Sequence, residues 1–146
     1  MTEATGDAGP TGRPRMKRLS VAGVIMFTAA QASAYQINYT TGALSDLVTF
    51  QAGLDRSMCH PERFNGKVVK REFGADAISP TSFVVEAADG QRELINAPEV
   101  PADLNLADRG WVVQGMQKFT RVGRVAHGTA QRCGACGHFL YLDSIR

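Results

Sequence analysis

The apolar pattern changes texture at Gly66, and the residues beyond it alternate in short runs. Residues 67–73 (KVVKREF) and 81–87 (TSFVVEA) are rich in β-branched and aromatic positions, which suit a pleated, half-buried surface. Residues 88–91 (ADGQ) carry an Asp-Gly pair, which takes the positive φ values of a tight hairpin turn. Residues 92–96 (RELIN) are the return strand. Pro98 and Pro101 break the pattern, and residues 101–107 are predicted to make one or two helical turns with Pro101 at the first position. Residues 111–117 (WVVQGMQ) are predicted as a fourth strand, continued or paired by 119–127 after a bend near Lys118. Residues 138–145 (HFLYLDSI) are predicted as the closing fifth strand.

Upstream the signals are weaker. Residues 35–42 read as a short edge strand or an ordered arm ending at Gly42. Residues 43–54 place Leu44, Leu47, Val48 and Leu54 near helical spacing and are predicted as a short helix. Residues 55–64 read as a loop, because Pro61 keeps His60 extended.

Three strands, a short helical connection and two more strands give the order β-β-β-α-β-β over residues 64–146. That order resembles the OB-fold, a five-stranded Greek-key barrel with a short helix between strands 3 and 4. The resemblance implies a mainly β domain, with residues 35–63 as an N-terminal helical or loop addition.

The first 34 residues have a different character. Residues 1–15 are small, polar and rich in Pro and Gly, a composition that reads as disordered leader. Arg13, Arg15, Lys17 and Arg18 then precede an apolar run that ends in Ala32-Ser33-Ala34. Basic cluster, short apolar run and small-x-small ending resemble a secretory signal peptide over 16–34, cut between Ala34 and Tyr35. The run falls short of the roughly 20 apolar residues a spanning helix needs. The mature chain is therefore expected to be periplasmic or secreted, with no stable membrane span. Whether Met1 or Met16 starts the chain is left open.

Charge changes meaning once the chain is divided there. The whole sequence has 16 basic and 14 acidic residues, and residues 1–34 hold four and two of them, which leaves 12 of each in 35–146. A balanced chain argues against generic binding to nucleic acid or anionic membrane. The distribution is uneven. Arg109, Lys118, Arg121, Arg124 and Arg132 fall in a stretch without an acidic residue. With Trp111 and Phe119 interleaved, this stretch offers a candidate ligand face at Trp111, Phe119, Arg121 and Arg124. The plainer alternative is a solvated hairpin face, and the zero net charge favours it.

The candidate chemistry lies in the turn Cys133-Gly134-Ala135-Cys136-Gly137-His138. In an oxidising compartment a Cys133–Cys136 disulfide is one reading, with Cys59 free. A second joins Cys59 to either of the two. A third is a zinc site on Cys133 and Cys136, completed by Cys59, His60 or His138. The compartment favours a disulfide over zinc. Haem attachment is excluded because Gly137 separates Cys136 from His138. A thioredoxin-like role is weak, because a strand rather than a helix follows Cys136. His127 is assigned no role.

Residues 88–99 (ADGQRELINAPE) resemble the R-L-x-x-I-D-A-P-E segment of staphylococcal-type nucleases, themselves OB-fold proteins. The resemblance implies a catalytic role for Glu99 and an approximate one for Arg92. Asn96 stands where that family has a metal-ligating aspartate, Arg92 is one residue out of register, and no D-G-D-T precedes. Arg92 and Glu99 then read as surface residues. The reading is an exported, non-catalytic binding or accessory module with an oligonucleotide, oligosaccharide or protein as ligand and no cofactor. The alternatives are a zinc-stabilised or thiol/disulfide redox protein, and a degenerate nuclease-like protein.

Overall fold

A computed structural model of the chain describes residues 35–146. The leader and signal-peptide expectations fall on residues 1–34, outside the described residues. The element order is β1 (Gln36–Ile37), β2 (Leu44–Ser45), 3-10 turns at Leu47–Phe50 and Arg56–Met58, then β3 (Cys59–Phe73), β4 (Pro80–Glu86), β5 (Arg92–Asn96), helix α1 (Leu106–Phe119), β6 (Val125–Cys133) and β7 (Phe139–Ile145). The fold is mainly β. Among the described residues seven strands form one sheet, antiparallel except for the parallel β5–β7 pair.

The strand pairings come back on themselves. β3 pairs with β4, β4 with β5, β5 with β7, β7 with β6, and β6 with β3. This is a partial ring, compatible with a barrel-like fold. β3 makes it possible by serving two neighbours in succession. Its first part, Cys59 to Lys67, lies against β6, and its second, Lys67 to Phe73, lies against β4. Gly66 sits at the changeover. A Cβ there would stand 2.3 Å from the Glu86 carbonyl oxygen, so β3 and β4 approach this closely only over a glycine.

Inward positions follow the period of two. Phe64 and Val68 on β3, Phe83 and Val85 on β4, Ile95 on β5, Ala126 and Ala130 on β6, and Leu140 and Leu142 on β7 are all buried in one core. Helix α1 adds Val112, Met116 and Phe119 to it. Asn105 caps α1, its side-chain oxygen accepting from the Asp108 N–H at 2.9 Å. The Thr120 hydroxyl closes the other end on the Met116 carbonyl at 2.6 Å.

Four expectations are corrected. Residues 111–117 are helix rather than a fourth strand, and the short helix expected at 101–107 gives way to Leu106–Phe119. The buried set Val112, Gly115, Met116 and Phe119 has i, i+3, i+4, i+7 spacing, but a glycine stands at one of its positions and hides it. That glycine is required. A Cβ on Gly115 would lie 2.7 Å from the Gly42 oxygen, where the N-terminal arm crosses the helix. The helix expected over 43–54 is instead β2 and a 3-10 turn, since Leu44 pairs with Ile145 and so extends the sheet. The loop expected over 55–64 is the beginning of β3, held against β6 from Cys59 onward.

A charged group closes one end of the core. Glu62 lies opposite Ala130 and Arg132 opposite Leu140, so both face the side that holds the core. Arg132 Nε donates to Glu62 Oε2, and Nη2 donates to Glu62 Oε1 at 2.9 Å and to Glu93 Oε1 at 2.7 Å. Its Nη1 reaches the Gly137 carbonyl at 3.1 Å and so pins the cysteine turn. The guanidinium holds the Glu62 carboxyl below the ordinary glutamate value of 4.5. The linked stability is therefore complete above that value and is lost as pH falls through the lowered one. Exposed ion pairs contribute up to about 1 kcal/mol and broken buried ones cost about 3–5, so Arg132→Met is expected to cost about 2 kcal/mol at neutral pH. Urea unfolding at pH 7 and pH 3 checks this: the gap between variant and parent should shrink in acid, and an unchanged gap would show that the ion pairs are not its source.

Candidate functional site

The cysteines are paired differently from the first expectation. Cys59 and Cys133, directly opposite in the β3–β6 register, form a disulfide with Cα atoms 4.1 Å apart. Cys136 is free and exposed, so the Cys133–Cys136 staple is not what forms. The reason is in the sheet. Pairing from Cys59 to Lys67 brings Cys59 onto Cys133, whereas Cys136 sits out in the turn that a hydrogen bond from Gly137 N–H to the Gly134 carbonyl closes at 3.0 Å. A disulfide sulfur is not a thiolate, so zinc at this turn would first require reduction. Among the described residues no group of three or more His, Cys, Asp or Glu side chains is placed to hold a metal ion.

The face expected at Trp111, Phe119, Arg121 and Arg124 is brought together only in part. Trp111 lies two turns before Phe119, roughly 12 Å along the helix, and packs edge-on against Tyr39 at 5.5 Å between ring centroids. Phe119 is buried. Arg124 lies over its ring at 5.0 Å, and Lys118 lies over the same ring at 5.1 Å. Arg121 is exposed in the turn after the helix. Of the nuclease-like pair, Arg92 is bound to Glu86 across the β4–β5 hairpin at 2.6 Å, and Glu99 is exposed in the segment between β5 and α1.

One concavity among the described residues was not foreseen. It is a groove of about 1040 Å³ between the N-terminal arm and the sheet where β3, β6 and β7 meet. Leu44, Phe64 and Ile145 contribute apolar lining, and Arg63, His127 and Arg146 bring positive or protonatable groups to it. A second hollow of about 520 Å³ adjoins it, sharing Asn38, Ala43, His127 and Arg146, and adds Lys118, Phe119 and Arg124.

Each contributor has a local cause. Arg63 stands opposite Thr129 and Asn65 opposite His127, so the β3–β6 register joins residues some sixty positions apart. Arg146 is placed by reciprocal backbone hydrogen bonds with His127, at 3.0 and 3.5 Å. The arm is tied down from the far side: the Tyr35 and Tyr39 hydroxyls each donate to Asp108 at 2.8 Å. Those hydrogen bonds, Tyr35 first, then Tyr39 and Asn105, hold the Asp108 carboxyl below its ordinary value. Lys118 Nζ donates to the Thr41 carbonyl at 2.7 Å, joining helix to arm.

Phe119 and Arg124, expected at a ligand face, border the second hollow, while Arg63, His127 and Arg146 line the groove and were not among the expected residues. No linear signal links these positions, because strand register alone brings them together. No family model, curated protein or solved structure matches the chain.

Proposed function

We propose that residues 35–146 form a small, exported, non-catalytic binding module of OB-like architecture, with its ligand in the groove between the arm and the β3–β6 pair. The groove carries this reading: it is an amphipathic concavity at the upper end of ordinary ligand-site size. Two further features support it. The pairings among β3, β4, β5, β7 and β6 make a partial ring and α1 follows β5 in the chain, which supports an OB-like reading. The Cys59–Cys133 bond accords with an oxidising compartment.

The test is an NMR titration of the full chain with an oligothymidylate, inorganic polyphosphate and a neutral oligosaccharide. One of these is expected to shift the amide resonances of His127, Thr129 and Ser144, which line the groove. Shifts confined to the Trp111 side of the helix, or no shifts with any probe, would overturn the reading.

A further inference from the structure

We infer that the groove and its neighbouring hollow take a ligand that presents several phosphate groups in a row. The inference rests on the groove being the ligand site and adds what the ligand must look like.

Charge is placed with one sign in this region. Arg63, Lys118 and Arg124 line the two adjoining hollows, and no aspartate or glutamate side chain lines either one. Residues 35–146 hold 12 basic and 12 acidic residues, so the excess of positive charge here comes from placement and not composition.

The groove cations are also not neutralised from within. Among the described residues the ion pairs are Lys70–Glu72, Arg92–Glu86, Arg132–Glu62 and Arg132–Glu93. None involves a cation of the groove. Like charges held together without counter-charges repel one another, and a bound polyanion removes that repulsion.

Several of these side chains are preorganised. Lys118 and Arg124 lie over the buried Phe119 ring, and Lys118 is fixed again by the Thr41 carbonyl. Arg63 is carried on a strand paired along its length. Side chains already held lose less freedom when a ligand arrives. Arginine predominates, and its planar fork matches the oxygens of a phosphate two at a time. The cations are spread over two adjoining hollows, so a run of anions fits them better than a single one.

A phosphate chain has two sources, the backbone of a single-stranded nucleic acid and inorganic polyphosphate. The experiment treats them as separate arms. Labelled oligothymidylate is titrated by fluorescence anisotropy, and polyphosphate by calorimetry, against the full chain and its Arg63→Glu, Arg124→Glu and Arg109→Glu variants. Arg109 is exposed on the helix and lines neither hollow.

At least one arm is expected to bind, with affinity falling about tenfold or more in each of the first two variants and unchanged in the third. For the oligonucleotide, three phosphate contacts imply a slope of log K against log salt near about −2, reduced by about 0.7 on losing one contact. Arg63→Gln and Arg124→Gln should weaken binding in the same order, and far-UV circular dichroism verifies that every variant is folded.

Binding that Arg109→Glu weakens as much as the groove variants would place the site elsewhere and overturn the inference. If the neutral oligosaccharide shifts the groove resonances while neither phosphate chain binds, the phosphate inference fails and the groove reading stands. If nothing shifts them, both fail.

Discussion

Loss of the Cys59–Cys133 bond is expected to lower the stability of the protein by about 4 kcal/mol. The bond joins residues 74 positions apart, and chain entropy assigns about that figure to cross-linking a loop of such length. It also closes the end of the β3–β6 pairing, which is one side of the strand ring and one wall of the groove. Urea unfolding of the full chain with and without reductant measures the effect, and the Cys59→Ala/Cys133→Ala double variant isolates it. Cys136→Ser is the control. Cys136 is exposed and outside the bond, so its substitution should change stability by less than about 0.5 kcal/mol. A drop below about 1 kcal/mol for the double variant, or a large one for Cys136→Ser, would show that the sulfurs are paired otherwise.

Gly128→Ala is expected to destabilise by about 3 kcal/mol or more. A Cβ at this position would stand 1.9 Å from the Ser144 carbonyl oxygen, 2.8 Å from its carbon and 3.0 Å from the Phe64 ring. Backbone on both sides prevents an easy adjustment, because Gly128 pairs with Phe64 on β3 and with Ile145 on β7. Overfilling a packed site ordinarily costs about 1–3 kcal/mol, and here the obstacle is main chain rather than a movable side chain. The next residue fixes the approach further: the Thr129 N–H and hydroxyl both engage the Ser144 hydroxyl, at 3.0 and 2.7 Å. Gly110→Ala supplies the contrast. Nothing lies within 4 Å of a Cβ there and the residue is helical, so alanine should be neutral or stabilising by about 1 kcal/mol. Thermal and urea unfolding of the two variants decide the matter. A Gly128→Ala protein within about 1 kcal/mol of its parent would mean that β6 and β7 do not approach this closely.

Much of the sheet was readable from local pattern. Residues 92–96 and the Asp-Gly turn before them match β5 and its hairpin, because both depend on side-chain alternation and on what φ values glycine takes. The edges of β4 and β7 were placed within a residue for the same reason. The failures share one cause as well. Gly115 interrupts the apolar face of α1, and only the arm crossing at Gly42 explains why a glycine must stand there. The beginning of β3 looks like loop because His60, Pro61 and Glu62 are polar or turn-forming. What makes them strand is β6 alongside and, for Glu62, an arginine seventy positions away.

The candidate site was less readable than the fold. Phe119 and Arg124 were within reach because they lie five residues apart. Arg63 and His127 were not, since neither belongs to a motif. Cys59 was a candidate partner in more than one pairing, and spacing alone could not choose among them.

The amino-acid sequence by itself determined the mainly β character of residues 66–146, the hairpin at Asp89-Gly90 and the local excess of basic residues after Arg109. Each is a short-range property that a few neighbouring side chains settle. Tertiary structure decided which cysteines bond, where the helix lies and which cations share a groove. Those outcomes depend on strand register, and register is set by the burial of the whole apolar face at once.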